Sequence, residues 1–394
     1  MKDLEYLVGD EKIHRQVSEP YNNEVINFLS DISDELDNEK YYKSYSDIKT
    51  LSFFCRKANL LNLKKRSNNI DNKPRLGLGL VFHITPSNIP TNFFYSLIFG
   101  LINGNSNIVK VPSKNFEQIS IICKVLKKLF SKKHKKIKNF VKIVRYNDND
   151  EYTKKISSFC DARIIWGSDK TVENVRKFAL QPRSIELTFP DRYSMSLINA
   201  NEFSKLNFEK KQLLVHRFYN DTFVADQNAC SSPQLILWVG NKIKKSKSIF
   251  WSLLSNLVEK KYDLSEMAAV EKYTELCKKI ITDKNIKGFK NYSNNVFTTS
   301  LKKIDSDISS YRGKWGFFYE YETKNLNILN TITSKKIQTL TYFGIAKDHL
   351  RKFIIKNKLS GIDRIVPIGQ GLEINFFWDG YDINKILTRV IDIK

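Results

Sequence analysis

LGLGLVFHITPSNIPTNFFYSLIFGLINGNSNIVKVPS, residues 76–113, decides the fold class. LGLGLVFHI (76–84) reads as a buried strand, 91–103 as an apolar helix and NIVKV (107–111) as a second strand, closed by Pro112 and Ser113. Short strands that are apolar on every face, joined through a helix, belong to a parallel sheet covered on both sides. The alternation continues downstream. Phe116, Ile119, Ile122, Val125, Leu126 and Leu129 recur at helical spacing, and strands follow at 140–146 (FVKIVRY) and 162–166 (ARIIW). A short helix about 170–178 and strands near 184–188 and 194–198 complete a doubly wound parallel sheet. Ligands of such sheets bind beyond the strand C-terminal ends. TPSNIP (85–90), VPSK (111–114) and GSDK (167–170) therefore line one rim, the last opening a helix whose N–H groups suit a phosphate.

After Lys205 a helix (207–218) leads into FVADQNACSSPQLILWVG (223–240), a polar loop with one cysteine and then a strand. Helices at 247–260, 267–280 and 346–358 and strands near 338–342 and 364–377 read as a second α/β unit. The expected division is a nucleotide-cofactor domain over 1–220 and a catalytic domain over 221–375. Residues 376–394 are expected to pack back on the cofactor domain or on an oligomer partner.

Composition agrees with two globular cores. At 394 residues, 41% hydrophobic and 27% charged, the chain is neither a disordered tail nor a disulfide scaffold. The apolar run FFYSLIFGLI (93–102) falls short of the roughly 20 residues of a membrane span. MKDLEYLVGDEK (1–12) lacks an apolar leader core, so a soluble, cytoplasmic protein is expected. Cys55, Cys123, Cys160, Cys230 and Cys277 are odd in number and form no CxxC pair, which predicts reduced thiols. The five histidines are scattered, so no metal site is expected. The net charge of +23 rests on Lys, which outnumbers Arg 51 to 14. Its densest run, 127–142, joins a helix end to a strand, so it reads as a nonspecific bias and not as specific nucleic-acid recognition.

Individual residues carry chemistry with alternatives open. Cys230 sits in a polar loop and is the candidate nucleophile, whereas Cys123 and Cys277 lie on apolar stripes as structural cysteines do. Asn88, at a strand end, is either an oxyanion donor or a turn residue satisfying its own backbone. The GxG at 77–79 lacks the third glycine of a dinucleotide fingerprint and is assigned to strand packing. Lys110 ends a strand where a cofactor ribose or phosphate would lie. His83 and His216 read as core or structural residues, outside the catalytic set.

Four ordered segments, TPSNIP (85–90), GNSNIVKVPS (104–113), WGSDKTVENVRKF (166–178) and DQNACSSPQ (226–234), resemble the aldehyde dehydrogenase superfamily. ACSSPQ and DRIVPIGQGLEINFFWDGYDI (363–383) are similar to its LuxC-type acyl-CoA reductase branch. The resemblance implies an aldehyde-dehydrogenase-like fold. It also implies an acyl-accepting Cys230, an oxyanion held by the Asn88 amide and the Cys230 backbone N–H, and a general base in the position of Glu186. Lys110 would meet the adenosine ribose, and Gly167 with Ser168 the pyrophosphate. Ser113 is followed by Lys114 where NAD-dependent members carry an acid, so NADPH is the expected cofactor. An acyl-CoA or acyl-carrier thioester is the implied substrate, and an acyl-protein synthetase and a second copy of the chain are the implied partners.

Two departures stand beside the match. Glu186-Leu187 is followed by TFPDRYS without the family's glycines, and QTLTYFG (338–344) occupies the stretch of the second cofactor-binding acid, with no role assigned to Gln338. The competing readings are a short-chain CoA-acylating aldehyde dehydrogenase using NADH, against which the WDGYD segment speaks, and a non-catalytic carrier- or nucleic-acid-binding protein.

Overall fold

The computed structural model describes residues 4–37, 45–68, 73–147, 150–304 and 307–394. The first three residues of the N-terminal stretch lie outside them. The chain divides into Met1–Asp191 with Asn375–Lys394, and Arg192–Ile374.

In the first unit the strands are β1 (Glu5–Val8), β2 (Arg75–Gly77), β3 (Leu80–Ile84), β4 (Ser106–Lys110), β5 (Val141–Arg145), β6 (Ala162–Trp166) and β7 (Ile185–Phe189). Among the described residues, six form one sheet in the order β1-β5-β4-β3-β6-β7. β3 through β7 pair in parallel, and β1 is antiparallel on the edge. The chain winds outward from β3 through β4 and β5, then returns to lay β6 on β3's other side. The order reverses between β3 and β6, where a doubly wound sheet opens its ligand crevice. Every residue of β3 and of the helix Asn92–Ile102 is buried, as their uninterrupted apolar sequence requires. The helix Glu117–Lys132 buries Ile119, Ile122, Val125, Leu126 and Leu129 and turns its lysines outward.

The strand expected over 76–84 is broken in two. Gly79 has φ +143, and a Cβ there would stand 2.2 Å from Asp161 Oδ2. That carboxylate accepts the Leu80 N–H at 2.7 Å, and Asn105 Oδ1 accepts the N–H groups of Leu78 and Gly79. A Cβ on Gly77 would likewise stand 2.3 Å from the Gly104 carbonyl oxygen. Both glycines serve close backbone packing.

The second unit holds β8 (Tyr193–Asn199), β9 (Leu235–Val239), β10 (Ile286–Ser293), β11 (Val296–Leu301), β12 (Phe317–Thr323), β13 (Ile337–Phe343) and β14 (Arg364–Pro367). Among the described residues they form a seven-stranded sheet, β10-β11-β12-β9-β8-β13-β14, parallel except at β10. Alternate residues of β9 enter opposite cores. Leu235 and Leu237 join Tyr193, Met195 and Tyr319, while Ile236 and Trp238 join Phe218, Phe250 and Trp251. One buried acid lies in the second core with all its needs met. Glu320 accepts the indole N–H groups of Trp238 and Trp251 at 2.8 and 2.7 Å and pairs with Lys247 at 3.1 Å.

The boundary expected at 220 falls instead after Asp191. β8, assigned from sequence to the first half, pairs with β9 and β13, and the helix Phe208–Thr222 buries Leu214, Val215 and Phe218 in the second unit's core. The long strand expected over 364–377 is also shorter. It ends at Pro367, because Asp221 accepts the N–H groups of Gly369 and Gly371 at 2.6 and 2.7 Å and draws the backbone away from a ladder. From Asn375 the chain belongs to the first unit. There β15 (Phe377–Trp378) and β16 (Tyr381–Asp382) make a small hairpin, and β17 (Thr388–Val390) pairs with β2. Phe376 and Trp378 are buried, Phe376 against Tyr21 and Phe99, whereas Phe377 is half exposed and so is no core residue.

Candidate active site

The rim of the first unit gathers most of the candidate cofactor residues. Thr85, directly after β3, donates its hydroxyl and its N–H to the Lys110 carbonyl at 2.8 and 3.2 Å, tying the ends of β3 and β4 together. Asn88 is exposed in the turn that follows. The Lys110 ammonium lies 4.8 Å from the centre of the Tyr146 ring, and Ser113 donates its hydroxyl to the Tyr146 carbonyl at 3.4 Å. Lys114 is exposed beside them, its ammonium 5.1 Å from the Phe116 ring. Beyond β6, Ser168 caps the helix Asp169–Arg176, accepting the Thr171 N–H at 3.2 Å. Gly167 leaves space there, since a Cβ would stand 2.9 Å from Thr171. A helix N-terminus and two lysines on one rim fit a phosphorylated nucleotide.

Glu186 does not belong to this rim. It is the second residue of β7, opposite Arg163 near the start of β6, at the far end of parallel strands. Three residues of strand, about 10 Å, separate Arg163 from Trp166. Arg163 donates to Glu186 Oε2 from Nε at 2.9 Å and from a terminal nitrogen at 2.5 Å, and Arg176 donates to Oε1 at 2.7 Å. Both carboxylate oxygens are occupied by guanidinium groups. The expectation of a general base at this position is corrected: Glu186 neutralises the buried Arg163.

His83 is a core residue. It is fully buried, with Nδ1 2.7 Å from Ser96 Oγ and Nε2 2.9 Å from Asn107 Oδ1, and burial pushes its pKa down to about 4. Trp166 donates its indole N–H to the same Ser96 oxygen at 2.9 Å, so the ring is locked beneath the rim. His216 lies 3.0 Å from the Lys261 ammonium, and partial burial with that charge lowers its pKa.

The cysteine loop is built separately, in the second unit. Asp226 and Gln227 both adopt left-handed backbone conformations, φ 51 and 59, after the turn Phe223–Ala225. Residues with side chains pay roughly 1–2 kcal/mol each for that geometry, so it persists only where neighbours fix it. Gln227 and Gln234 do so. Gln227 donates its amide to the carbonyls of Pro233 and Phe317 at 3.2 and 3.0 Å and accepts the Gly316 N–H at 3.1 Å. Gln234 donates to the Gln227 carbonyl at 2.9 Å and accepts the Gly313 N–H at 2.9 Å. Between these buried amides Cys230 sits half-buried, its carbonyl accepting the Ser194 hydroxyl at 2.6 Å. Cys55, Cys123 and Cys160 are buried instead, and burial pushes the last two thiols up to about 12. Sequence reading passed over both glutamines. Their signal was present, as two amides flanking a cysteine, three residues before it and four after.

Among the described residues, no group of three or more His, Cys, Asp or Glu is placed to hold a metal, and no helix is long and apolar enough to cross a membrane.

The family model for acyl-CoA reductase (LuxC) matches residues 55–389. The chain belongs to that family. Its motifs at both the rim and the cysteine loop lie inside the match. Comparison of this LuxC-family chain with curated proteins gives no match. Solved structures give many. The chain is similar to proline utilization A from Bradyrhizobium japonicum, at 10% identity and TM-score 0.61, with 94% of this chain and 43% of that chain covered. It thus spans less than half the length of that protein. It is similar over 93% of its length to aldehyde dehydrogenase 21 from Physcomitrella patens in complex with succinate, covering 85% of that chain at 12% identity and TM-score 0.62. A Sinorhizobium meliloti protein described as a methylmalonate-semialdehyde dehydrogenase, complexed with NAD, matches 93% of this chain and 82% of its own at 12% identity and TM-score 0.56. These likenesses establish the aldehyde dehydrogenase fold, and the family to which the chain belongs is one of acyl-CoA reductases.

Proposed function

We propose that this chain reduces a fatty acyl thioester, carried by coenzyme A or by a protein, to the aldehyde with NADPH through an acyl thioester on Cys230. The cysteine loop carries the reading. It spends two strained backbone positions and two buried glutamines on holding one half-buried thiol, an outlay that a packing cysteine does not need.

The Cys230 thiolate attacks the thioester carbonyl. The new C–S bond forms, the old one breaks, and the carrier leaves as a thiol once protonated. Asn88 and the Cys230 N–H are the proposed oxyanion donors. When bound, the nicotinamide nucleotide supplies a hydride to the acyl carbon. The resulting thiohemiacetal on Cys230 loses its hydroxyl proton, releases aldehyde and regenerates the thiolate. Lys110, Ser113 and Lys114 would hold the adenosine ribose end, and Gly167 with Ser168 the pyrophosphate. A cation directly after Ser113 favours a 2′-phosphate, hence NADPH over NADH. With Glu186 committed to two arginines, it is not available to activate water and divert the acyl group to free acid.

A cytoplasmic location, a homo-oligomer and an acyl-protein synthetase that delivers the acyl group complete the proposal. The experiment follows nicotinamide absorbance with NADPH or NADH against acyl-CoAs of graded length, with Cys230→Ala beside the unaltered chain. Turnover that rises with chain length, prefers NADPH and vanishes in Cys230→Ala is expected. Activity that survives the substitution removes the nucleophile, and preference for acetyl-CoA with NADH supports the short-chain reading instead.

A further inference from the structure

Lys272 lies on the helix Glu266–Thr282, 2% exposed, and among the described residues no carboxylate is its hydrogen-bond partner. Its amine donates to two backbone carbonyls, Asn294 at 2.5 Å and Trp315 at 2.9 Å, and stands 4.6 Å from the centre of the Phe297 ring. Burying an unpaired lysine is costly, and burial pushes its pKa down to about 7. A methionine or leucine would fill such a position more cheaply.

What the amine holds gives a reason for that expense. Trp315 is itself left-handed, φ 53, followed by Gly316 at φ 86, where a Cβ would stand 2.1 Å from the Asn295 carbonyl. The Trp315 N–H donates to the Asp226 carbonyl at 3.2 Å, and the Gly316 N–H donates to the Gln227 side chain at 3.1 Å. The left-handed pair 315–316 therefore abuts the left-handed pair 226–227, and Gln227 precedes Cys230 by three residues. Lys272 fastens the Trp315 side of this contact. We propose that Lys272 is a positioning residue for Cys230, setting the thiol's attack geometry through Trp315, Gly316 and Gln227. The proposal rests on Cys230 as the nucleophile.

The test compares Lys272→Met, which keeps the apolar stem and removes the donors, with Lys272→Gln, which keeps a shorter donor, and Lys272→Arg, which keeps charge and reach. Acylation by dodecanoyl-CoA without nucleotide is followed by quenched intact mass, and the KM for NADPH is measured in parallel. Acylation is expected to fall about tenfold or more in Lys272→Met and by less in Lys272→Gln, with Lys272→Arg within about threefold of the unaltered chain. The NADPH KM is expected to stay within about twofold throughout, a split that general unfolding does not give. If Lys272→Met does not fold, Lys272→Gln decides. Acylation in folded Lys272→Met within about twofold of the unaltered chain, or in Lys272→Gln where Lys272→Met does not fold, overturns the positioning role. Failure of the underlying reading is distinct: it appears as an adduct that persists in Cys230→Ala.

Discussion

The Ser194 hydroxyl donates to the Cys230 carbonyl oxygen at 2.6 Å, and its oxygen accepts the Thr339 N–H at 3.2 Å. One buried serine on β8 thus joins the cysteine loop to β13 and fixes where the loop's backbone turns. The hydroxyl does for the carbonyl side of Cys230 what Gln227 and Gln234 do for the flanks. Three side chains, none of them reactive, hold the thiol's surroundings in one geometry.

Ser194→Ala is expected to leave the Cys230 carbonyl and the Thr339 N–H short of a partner, a loss of about 1–3 kcal/mol. Denaturant unfolding should register that loss, and single-turnover acylation of Cys230 should slow by about tenfold while NADPH affinity is unchanged. Equal losses in acylation and NADPH affinity would mean that the serine acts on the whole fold.

Glu186→Gln separates a structural ion pair from a general base. Its amide cannot neutralise Arg163, which is 2% exposed, so breaking the pair is expected to cost about 3 kcal/mol of stability. The kcat for thioester reduction, measured on the folded fraction, should stay within about twofold. A loss of a hundredfold or more with stability intact would restore a catalytic role.

Lys114→Ala is expected to raise the KM for NADPH about tenfold and leave that for NADH nearly unchanged, since only the former carries a 2′-phosphate. Equal changes for both nucleotides would place Lys114 away from the ribose.

Stability should depend on pH through two buried groups with opposite signs. Lys272 is pushed from 10.5 to about 7, so between those values the unfolded chain binds the extra proton and stability rises with pH. Asp221 is pushed from 3.8 to about 7, mainly by burial, so between those values the native state binds the extra proton and stability falls as pH rises. Chemical denaturation from pH 5 to 10 is expected to show these contributions at their lowest near pH 7. Lys272→Met should flatten the alkaline limb and leave the acidic one.

The parts of this molecule legible in its sequence are those with local causes. The buried strand Leu80–Ile84, the wholly apolar helix Asn92–Ile102 and the Ser168 cap follow from residues next to each other in the chain. What sequence reading missed depends on distant partners. Gly79 breaks a strand because Asp161 lies against it, and β8 joins the second sheet because β9 and β13 accept it. Glu186 follows the family's spacing closely enough to suggest a base, yet its strand register sets it opposite Arg163. Gln227 and Gln234 look like ordinary loop amides until Gly313 and Gly316, far along the chain, supply their partners.

The most direct measurement is the intact mass of the chain after brief exposure to dodecanoyl-CoA without nucleotide, followed by peptide mapping. A single dodecanoyl addition on Cys230, lost in Cys230→Ala and discharged when NADPH is added, is the expected result. No addition, or an addition carried by Cys277 or another residue, would contradict the acyl-cysteine account.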